Sequence, residues 1–483
     1  MGRKEEALEL IAESLKIDRF NMGCRFEQYL LTGENHVLEE MQQLMRGAAH
    51  VYIEYALDFA QAGLYDEAIN LLEGYAATQD EVYPMVHYTL GYCHSRKGDT
   101  GKALEYYKKA EQDDHSYCFP NRIEEVLVLQ DAMKENHEAC AKAAYALGNF
   151  WYAARQYDNA IACWEASAAI DPAFPTVWRN LSLAYYNKRN DPQKAVETLE
   201  KAYRLDESDA RILMELDQLY KRIGRPQAER LAFLEAHPAE TESRDDLSIE
   251  RITLYNQLGR YEEAKALIAA RKFHPWEGGE GKITGQYTIC HVELAKIALR
   301  EHRYADALAL LQATDQYPYN LGEGKLINAE ENDIWYYKGL AYRGLGDEEN
   351  AKLWLHKATQ GSAEPQQAFF YNDAQPDKIF YQGLAWRALG EEGKAHGRFN
   401  KLIKHGEKHL FDHCRIDYFA VSLPDLAIWE DNLDKRNAIH CNYVMGLGYL
   451  GLEDRVHAIE YLDKACALDI NHQGAQIHRE LCE

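Results

Sequence analysis

The first candidates for chemistry in this sequence are two copies of the peptide Gly-Glu-Gly-Lys. They occur in HPWEGGEGK, at His274 to Lys282, and in YPYNLGEGK, at Tyr317 to Lys325. Glycines let a backbone approach a ligand closely, and a lysine at the start of a helix lies beside free amide groups that attract anions. Neither copy has the spacing of a nucleotide P-loop. They therefore predict contacts to an anion or to a ligand rich in hydroxyl groups.

Two further segments occupy equivalent places in the chain, FFYNDAQPDK at Phe369 to Lys378 and DYFAVSLPD at Asp417 to Asp425. Insertions at equivalent places of a repeat project from the same edge, so we expect one ligand surface. Its candidate residues are Trp276, Glu280, Lys282, Tyr319, Asn320, Glu323, Lys325, Tyr371, Asn372, Asp373, Asp417 and Tyr418. Alternatively, each insertion is a stiff connector that docks one repeat on the next, with its glutamate satisfying helix-start amides.

The segments that carry these insertions repeat a pattern of small and large residues. A glycine is followed twelve residues later by an alanine and, after four more, by a large side chain. Five copies are headed by Gly91, Gly148, Gly339, Gly383 and Gly446. Small residues let two antiparallel helices cross closely, and the large residue fills the groove between repeats. The pattern therefore predicts a series of helical hairpins.

The clearest copy is LGNFWYAARQYDNAIACWEASAAIDP, at Leu147 to Pro172, with Arg155 at the place of the usual turn glycine. This pattern resembles the tetratricopeptide repeat, and the resemblance covers most of the chain. It implies an all-α fold of about ten helical hairpins, stacked into a right-handed superhelix, or α-solenoid, with a concave inner surface. We expect regular repeats over residues 1–260 and longer repeats with inserted loops, continuous with the first, over residues 261–483.

The beginning of the sequence fits only the second half of a repeat. Gly2 falls at the turn position, Ala7 at the alanine position and Ile11 at the position of the large residue. We therefore expect a truncated first repeat that exposes the apolar face of a single helix, including Leu8, Ile11 and Leu15, unless that helix is itself a cap.

The series of insertions also resembles the helical carboxyl-terminal half of a family of large bacterial proteins. In that family, a domain of unknown function built of β-sandwich modules, similar to mutarotase-like carbohydrate domains, precedes the tetratricopeptide repeats. The repeats favour a non-catalytic interaction scaffold for a protein partner or for such a β domain. The alternative, which this second resemblance implies, is the helical half of a carbohydrate-binding or carbohydrate-active bacterial protein whose insertion loops line the saccharide site.

Composition narrows the choice of partner. The formal charge of −24 opposes binding to nucleic acid or to an anionic membrane surface. The first residues lack a signal-peptide core, and no stretch approaches the roughly 20 apolar residues that span a bilayer. Ten separate cysteines favour free thiols in a reducing compartment. We therefore expect a cytoplasmic protein.

Possible metal-binding and catalytic residues are weaker signals than the repeats and their insertions. His405, His409 and His413 recur every four residues and could share a helical face as metal ligands, but a solvated or packed face explains them as well. In a chain with 78 acidic residues, paired carboxylates arise by chance. We assign no metal, cofactor or catalytic residue and leave open whether the chain is an enzyme.

Overall fold

A computed structural model describes residues 3–136, 139–276, 278–368, 373–415 and 428–483. All regular elements within these ranges are helices, as the repeat pattern predicted, and none of those helices is both long and apolar enough to cross a membrane. The chain divides into two compact units, here called unit 1, Met1–Asp206, and unit 2, Glu207–Glu483.

Unit 1 contains twelve described helices. They are α1 Lys4–Ile17, α2 Met22–Thr32, α3 Asn35–Met45, α4 Ala49–Gln61, α5 Tyr65–Ala76, α6 Pro84–Arg96, α7 Thr100–Gln112, α8 Ile123–Glu135, α9 Ala141–Ala153, α10 Tyr157–Ile170, α11 Pro175–Arg189 and α12 Pro192–Leu205. Most of them pack as consecutive pairs, α2 with α3, α4 with α5, α6 with α7, α9 with α10 and α11 with α12.

Unit 2 contains fourteen described α-helices and a 3-10 turn at Tyr319–Leu321. The helices are α13 Ala210–Arg222, α14 Gln227–Ala236, α15 Pro238–Ser243, α16 Asp245–Gln257, α17 Tyr261–Ala270, α18 Lys282–Arg300, α19 Tyr304–Ala313, α20 Asn332–Gly344, α21 Glu348–Ala358, α22 Pro376–Ala388, α23 Glu392–His409, α24 Leu433–Gly451, α25 Arg455–Leu468 and α26 Gln473–Glu480. Six pairs follow one another here, from α13 with α14 to α24 with α25. Together the described parts of the two units hold eleven pairs, against about ten expected.

The five glycines that head the repeat copies, here called the glycine column, mark the point of closest approach between the two helices of a pair. A Cβ atom added to the glycine would lie 2.3 to 2.7 Å from the large side chain sixteen residues later, which is closer than atoms can pack. These contacts join Gly91 to Tyr107, Gly148 to Trp164, Gly339 to Leu355, Gly383 to Phe399 and Gly446 to Leu462. The predicted close approach at the small residues is confirmed, and the large residue packs against the glycine of its own helix pair.

The turn between paired helices requires a left-handed residue. Gly98 has a φ of 84°, and Arg155, at the equivalent place in its repeat, has a φ of 59°. A non-glycine residue is uncommon in this region. The repeat geometry therefore holds Arg155 in the conformation of the glycine that it replaces.

The first helix is packed differently from the expectation. Ile11 is buried, whereas Leu8 and Leu15 are half-buried, because α1 packs against α2. The large apolar side chains that remain exposed on α1 are Leu10 and Ile17. The prediction that Ile11 lies on an uncovered face is wrong.

The end of unit 2 returns to its first helices. Gln227 donates to the carbonyl of Ile470 at 2.5 Å, and Gln257 donates to the carbonyl of Asn471 at 2.8 Å. The Nη1 atom of Arg230 donates to Asn471 Oδ1 at 3.1 Å. The segment before α26 therefore bridges the first and last helix pairs of unit 2.

Candidate functional site

The two Gly-Glu-Gly-Lys loops lie against each other. The amide of Phe273 donates to the carbonyl of Asn320 at 2.8 Å, while Asn320 Nδ2 donates to the carbonyls of Ile268 and Arg271 at 2.7 and 2.8 Å. Glu323 Oε2 accepts from the amide of Gly281 at 2.9 Å. Two of the predicted ligand-binding side chains therefore join one loop to the other.

The charged and aromatic residues of these loops also have internal partners. The ammonium group of Lys282 lies 5.4 Å from the ring centre of Trp276, and Glu280 Oε2 accepts from the amide of Gly278 at 2.8 Å. Lys325 donates to the carbonyl of Thr314 at 2.5 Å and pairs with Glu331. These contacts are the ones expected of connectors.

Among the other candidates, Tyr319 is 86% exposed and lies 5.4 Å from the ammonium group of Lys272. Asp373 is half-buried. The remaining four, Tyr371, Asn372, Asp417 and Tyr418, lie outside the described residues. A common ligand surface formed by the insertions stays a prediction.

The three histidines that could share a helical face contact different partners. The rings of His405 and His409 lie 4.6 Å apart, but His409 contacts Asp412 at 2.6 Å and His413 contacts Asp434 at 2.8 Å. In the described ranges, no three His, Cys, Asp or Glu side chains are placed to hold a metal ion together.

Unit 2 contains a half-open cavity of about 400 Å³ that the loop motifs did not indicate. The first helices of four successive pairs, α18, α20, α22 and α24, line it, and α26 with the residues before it covers one side. We call these four helices the inner surface of unit 2. Ile289, Asp333, Asp377 and His440 occupy equivalent places on them.

The sequence does contain a signal for this cavity. Asp333, Asp377 and His440 each stand six residues before a glycine of the repeat column. Ile289 has the same register, because it stands six residues before Ala295, which precedes Ala307 by the same twelve residues that separate each glycine from its alanine. Side chains at one register of stacked repeats face one surface, so this column, read beside the glycines, would have placed these four residues on one surface.

Two buried ion pairs lie in or beside the cavity. Lys378 Nζ is 2.7 Å from Asp333 Oδ1 and 3.3 Å from Asp377 Oδ2. Burial lowers the pKa of Lys378, but Asp333 and then Asp377 outweigh that effect, so the pKa is raised and the ammonium stays charged. Glu293 pairs with Lys296 at 2.7 Å, although burial raises the pKa of this carboxyl.

The histidines of the cavity are neutral. Burial lowers the pKa of both His440 and His478 to about 4. His440 Nε2 contacts the carbonyl of Gln366 at 2.7 Å, and His478 Nδ1 contacts that of Gly474 at 2.7 Å. Because a carbonyl oxygen only accepts, these ring nitrogens are the protonated ones. The second nitrogen of each ring is therefore an acceptor.

A family model described as tetratricopeptide repeat matches residues 55–117, 141–210 and 292–365. Solved structures that match this chain include MamA 41-end from Desulfovibrio magneticus RS-1, which is 21% identical over 41% of this chain and 97% of that one, with a TM-score of 0.24. The TPR domain of P58(IPK) is 13% identical over 80% of this chain and 98% of that one, also with a TM-score of 0.24. TM-scores this low carry no argument about function. The family match and the glycine column together show that the chain contains tetratricopeptide repeats in both of its compact units.

Proposed function

We propose that this chain is a protein-interaction scaffold that holds a segment of a partner protein on the inner surface of unit 2. The observation that carries the proposal is the cavity, which places the same register of four successive repeats around one space. Repeat proteins use such continuous inner surfaces to bind extended segments. The role requires no catalysis.

The partner is either an independent protein or a β domain of the kind that the second resemblance implies. The loops give less support to a saccharide partner. The two predicted aromatic residues that could stack on a sugar ring, Trp276 and Tyr319, already lie near the ammonium groups of Lys282 and Lys272.

The proposal is tested by selecting peptides that bind the full chain from a displayed library. Their affinities are then compared between the wild-type chain and an Ile289→Trp variant. Ile289 is a half-buried residue of the cavity wall, so the larger ring occupies space that the peptide needs. The peptide then loses its contacts with this part of the cavity wall. Losing one well-packed contact at an interface costs about 2 kcal/mol or more of binding free energy. We therefore expect binding to weaken by about 30-fold or more.

The matched control is Leu353→Trp, which adds the same ring to α21 at a position that is 62% exposed. This variant should bind the selected peptides as the wild type does. If Ile289→Trp folds normally and binds every selected peptide with unchanged affinity, the inner surface of unit 2 is not the binding site.

A further inference from the structure

The last helix of unit 2 lies where the two ends of the unit meet. Helix α26 packs on α25 and α24, the final helix pair, and its residues Gly474, Ile477 and His478 line the cavity. Residues 470–473, just before and at the start of this helix, form hydrogen bonds with α13, α14, α16 and α18. We call these hydrogen bonds the seam of unit 2.

Polar side chains form the seam. In one direction, Asn471 Nδ2 donates to the carbonyl of Lys221 at 3.3 Å. Beside the seam, Arg222 donates to the carbonyls of Trp429 and Glu430 at 3.2 and 3.1 Å. In the other direction, the donors to residues 470–473 are Gln227, Gln257, Arg230 and Gln286, over distances of 2.5 to 3.1 Å.

Separation at the seam leaves the buried charges and the packed helices in place. Arg230 keeps its ion pairs with Asp217 and Glu250, which belong to α13 and α16 on its own side of the seam. Helix α26 keeps its packing on α24 and α25. Water replaces each broken hydrogen bond, so the net contribution of each bond to closure is small. Relative motion is expected across contacts that are neither large nor apolar.

The cavity is too small for an extended segment that follows the whole inner surface. The four inner helices pack in succession, α18 with α20, α20 with α22 and α22 with α24. With about 8–10 Å between neighbouring axes, they span about 24–30 Å. An extended segment rises about 3.3 Å per residue, so about eight or nine residues cross that distance. The volume of about 400 Å³ is instead that of a small-ligand pocket, which ranges over about 300–1,000 Å³.

We propose that unit 2 opens at the seam to admit the partner segment, with α26 and residues 470–472 as the gate. This inference rests on the proposed function and concerns how the partner reaches the same surface. Opening moves α26, together with the last helix pair, away from α14, α16 and α18. The rate of association and the apparent affinity then depend on the fraction of molecules in which the seam is open.

The first test weakens the seam with the double variant Gln227→Ala, Gln257→Ala. Neither side chain lines the cavity, so the inner surface keeps its residues. The probes are selected peptides whose binding depends on Ile289, and surface plasmon resonance measures their association rates on the full chain. We expect association to become about fivefold faster or more, because two closing hydrogen bonds are lost.

The matched control is Gln312→Ala, which removes an exposed glutamine of α19 in the same unit. This variant should associate with the peptides at the wild-type rate. If the double variant folds and its association rate is unchanged or slower, the seam is a fixed structural contact and the proposal is overturned.

The second test leaves the seam intact. Spin labels are introduced as unnatural amino acids at Glu229 of α14 and Lys464 of α25, which are both exposed. Electron–electron double resonance then measures their separation with and without saturating peptide. We expect the bound peptide to lengthen this distance by several ångströms. An unchanged distance would overturn the proposal, and this result does not depend on the stability of the double variant.

The gate and the scaffold fail in different ways. If Ile289→Trp abolishes peptide binding but neither the label distance nor the association rate changes as expected, the scaffold stands and the gate does not. If no selected peptide depends on Ile289, the inner surface is not the binding site and the gate falls with it.

Discussion

Replacing Arg230 by methionine should destabilise unit 2 strongly, because this guanidinium is completely buried and makes four hydrogen bonds. It donates to Asp217 at 3.1 and 2.6 Å, to Glu250 at 2.7 Å and to Asn471 at 3.1 Å. Methionine replaces much of the volume and none of the charge. Asp217, itself 1% exposed, then loses its bidentate cation.

Removing one partner of a buried ion pair costs about 3–5 kcal/mol, since the other charge stays buried without compensation. We expect a loss of about that size in the free energy of unfolding of unit 2. Urea unfolding of the full chain, followed by circular dichroism, measures it. The control is Arg303→Met, which removes exposed pairs to Glu301 and Asp306 and should cost about 1 kcal/mol or less.

The stability deficit of Arg230→Met, its loss in the free energy of unfolding relative to the wild type, should also depend on pH. Burial raises the pKa of Asp217, and Arg230 opposes that rise, so the variant raises this pKa further. A folded-state pKa above the unfolded value means that the folded protein gains stability relative to the unfolded chain as pH falls through it. The difference between variant and wild type should therefore shrink from pH 7 to about pH 5.

Glu250 titrates in the opposite sense. Burial raises its pKa, but Lys221 and Arg230 outweigh that effect and lower the pKa to about 2 from an ordinary 4.5. Its contribution in the wild type is complete above the ordinary value and is lost as pH falls towards 2. The account of this cluster is refuted if Arg230→Met unfolds with a loss no larger than that of Arg303→Met, or if its deficit grows on acidification to pH 5.

Two further predictions concern the repeat and its loops. Gly383→Ala should cost about 1–3 kcal/mol, because the added Cβ would lie 2.3 Å from Phe399, whereas Gly393→Ala, with nothing within 4 Å, should stabilise by about 0.4–1 kcal/mol. Chemical denaturation compares the two, and equal effects would contradict close packing at the column. Lys325→Ala should lower the melting temperature more than Lys282→Ala, because Lys325 is 17% exposed and pairs with a glutamate and a carbonyl. Equal melting temperatures in a thermal-shift assay would show that the loop contacts of Lys325 are unimportant.

The helix pairs could be predicted because each depends on residues close in sequence. Gly383 and Phe399 are sixteen residues apart, and their contact forms wherever two such helices cross. The left-handed turn at Arg155 follows from the same register, even though arginine does not favour that conformation. The same short-range contacts form in each repeat, so one recognised pattern predicts every copy.

The closure of unit 2 and its cavity could not be predicted in the same way. Arg230 and Asn471 lie 241 residues apart, and they meet only because six helix pairs bring the chain round to that point. A small error in the rotation of each repeat would separate them. Asp333 and Asp377 have a recognisable register, but only the return of α26 adds the further wall that makes a cavity beside them.

The most direct test of the scaffold is hydrogen–deuterium exchange of the full chain with and without a selected peptide. The account predicts that the peptide protects backbone amides in α18, α20, α22 and α24, the helices that form the inner surface of unit 2. Protection confined to unit 1, or to the loops at residues 271–281 and 314–331, would contradict it.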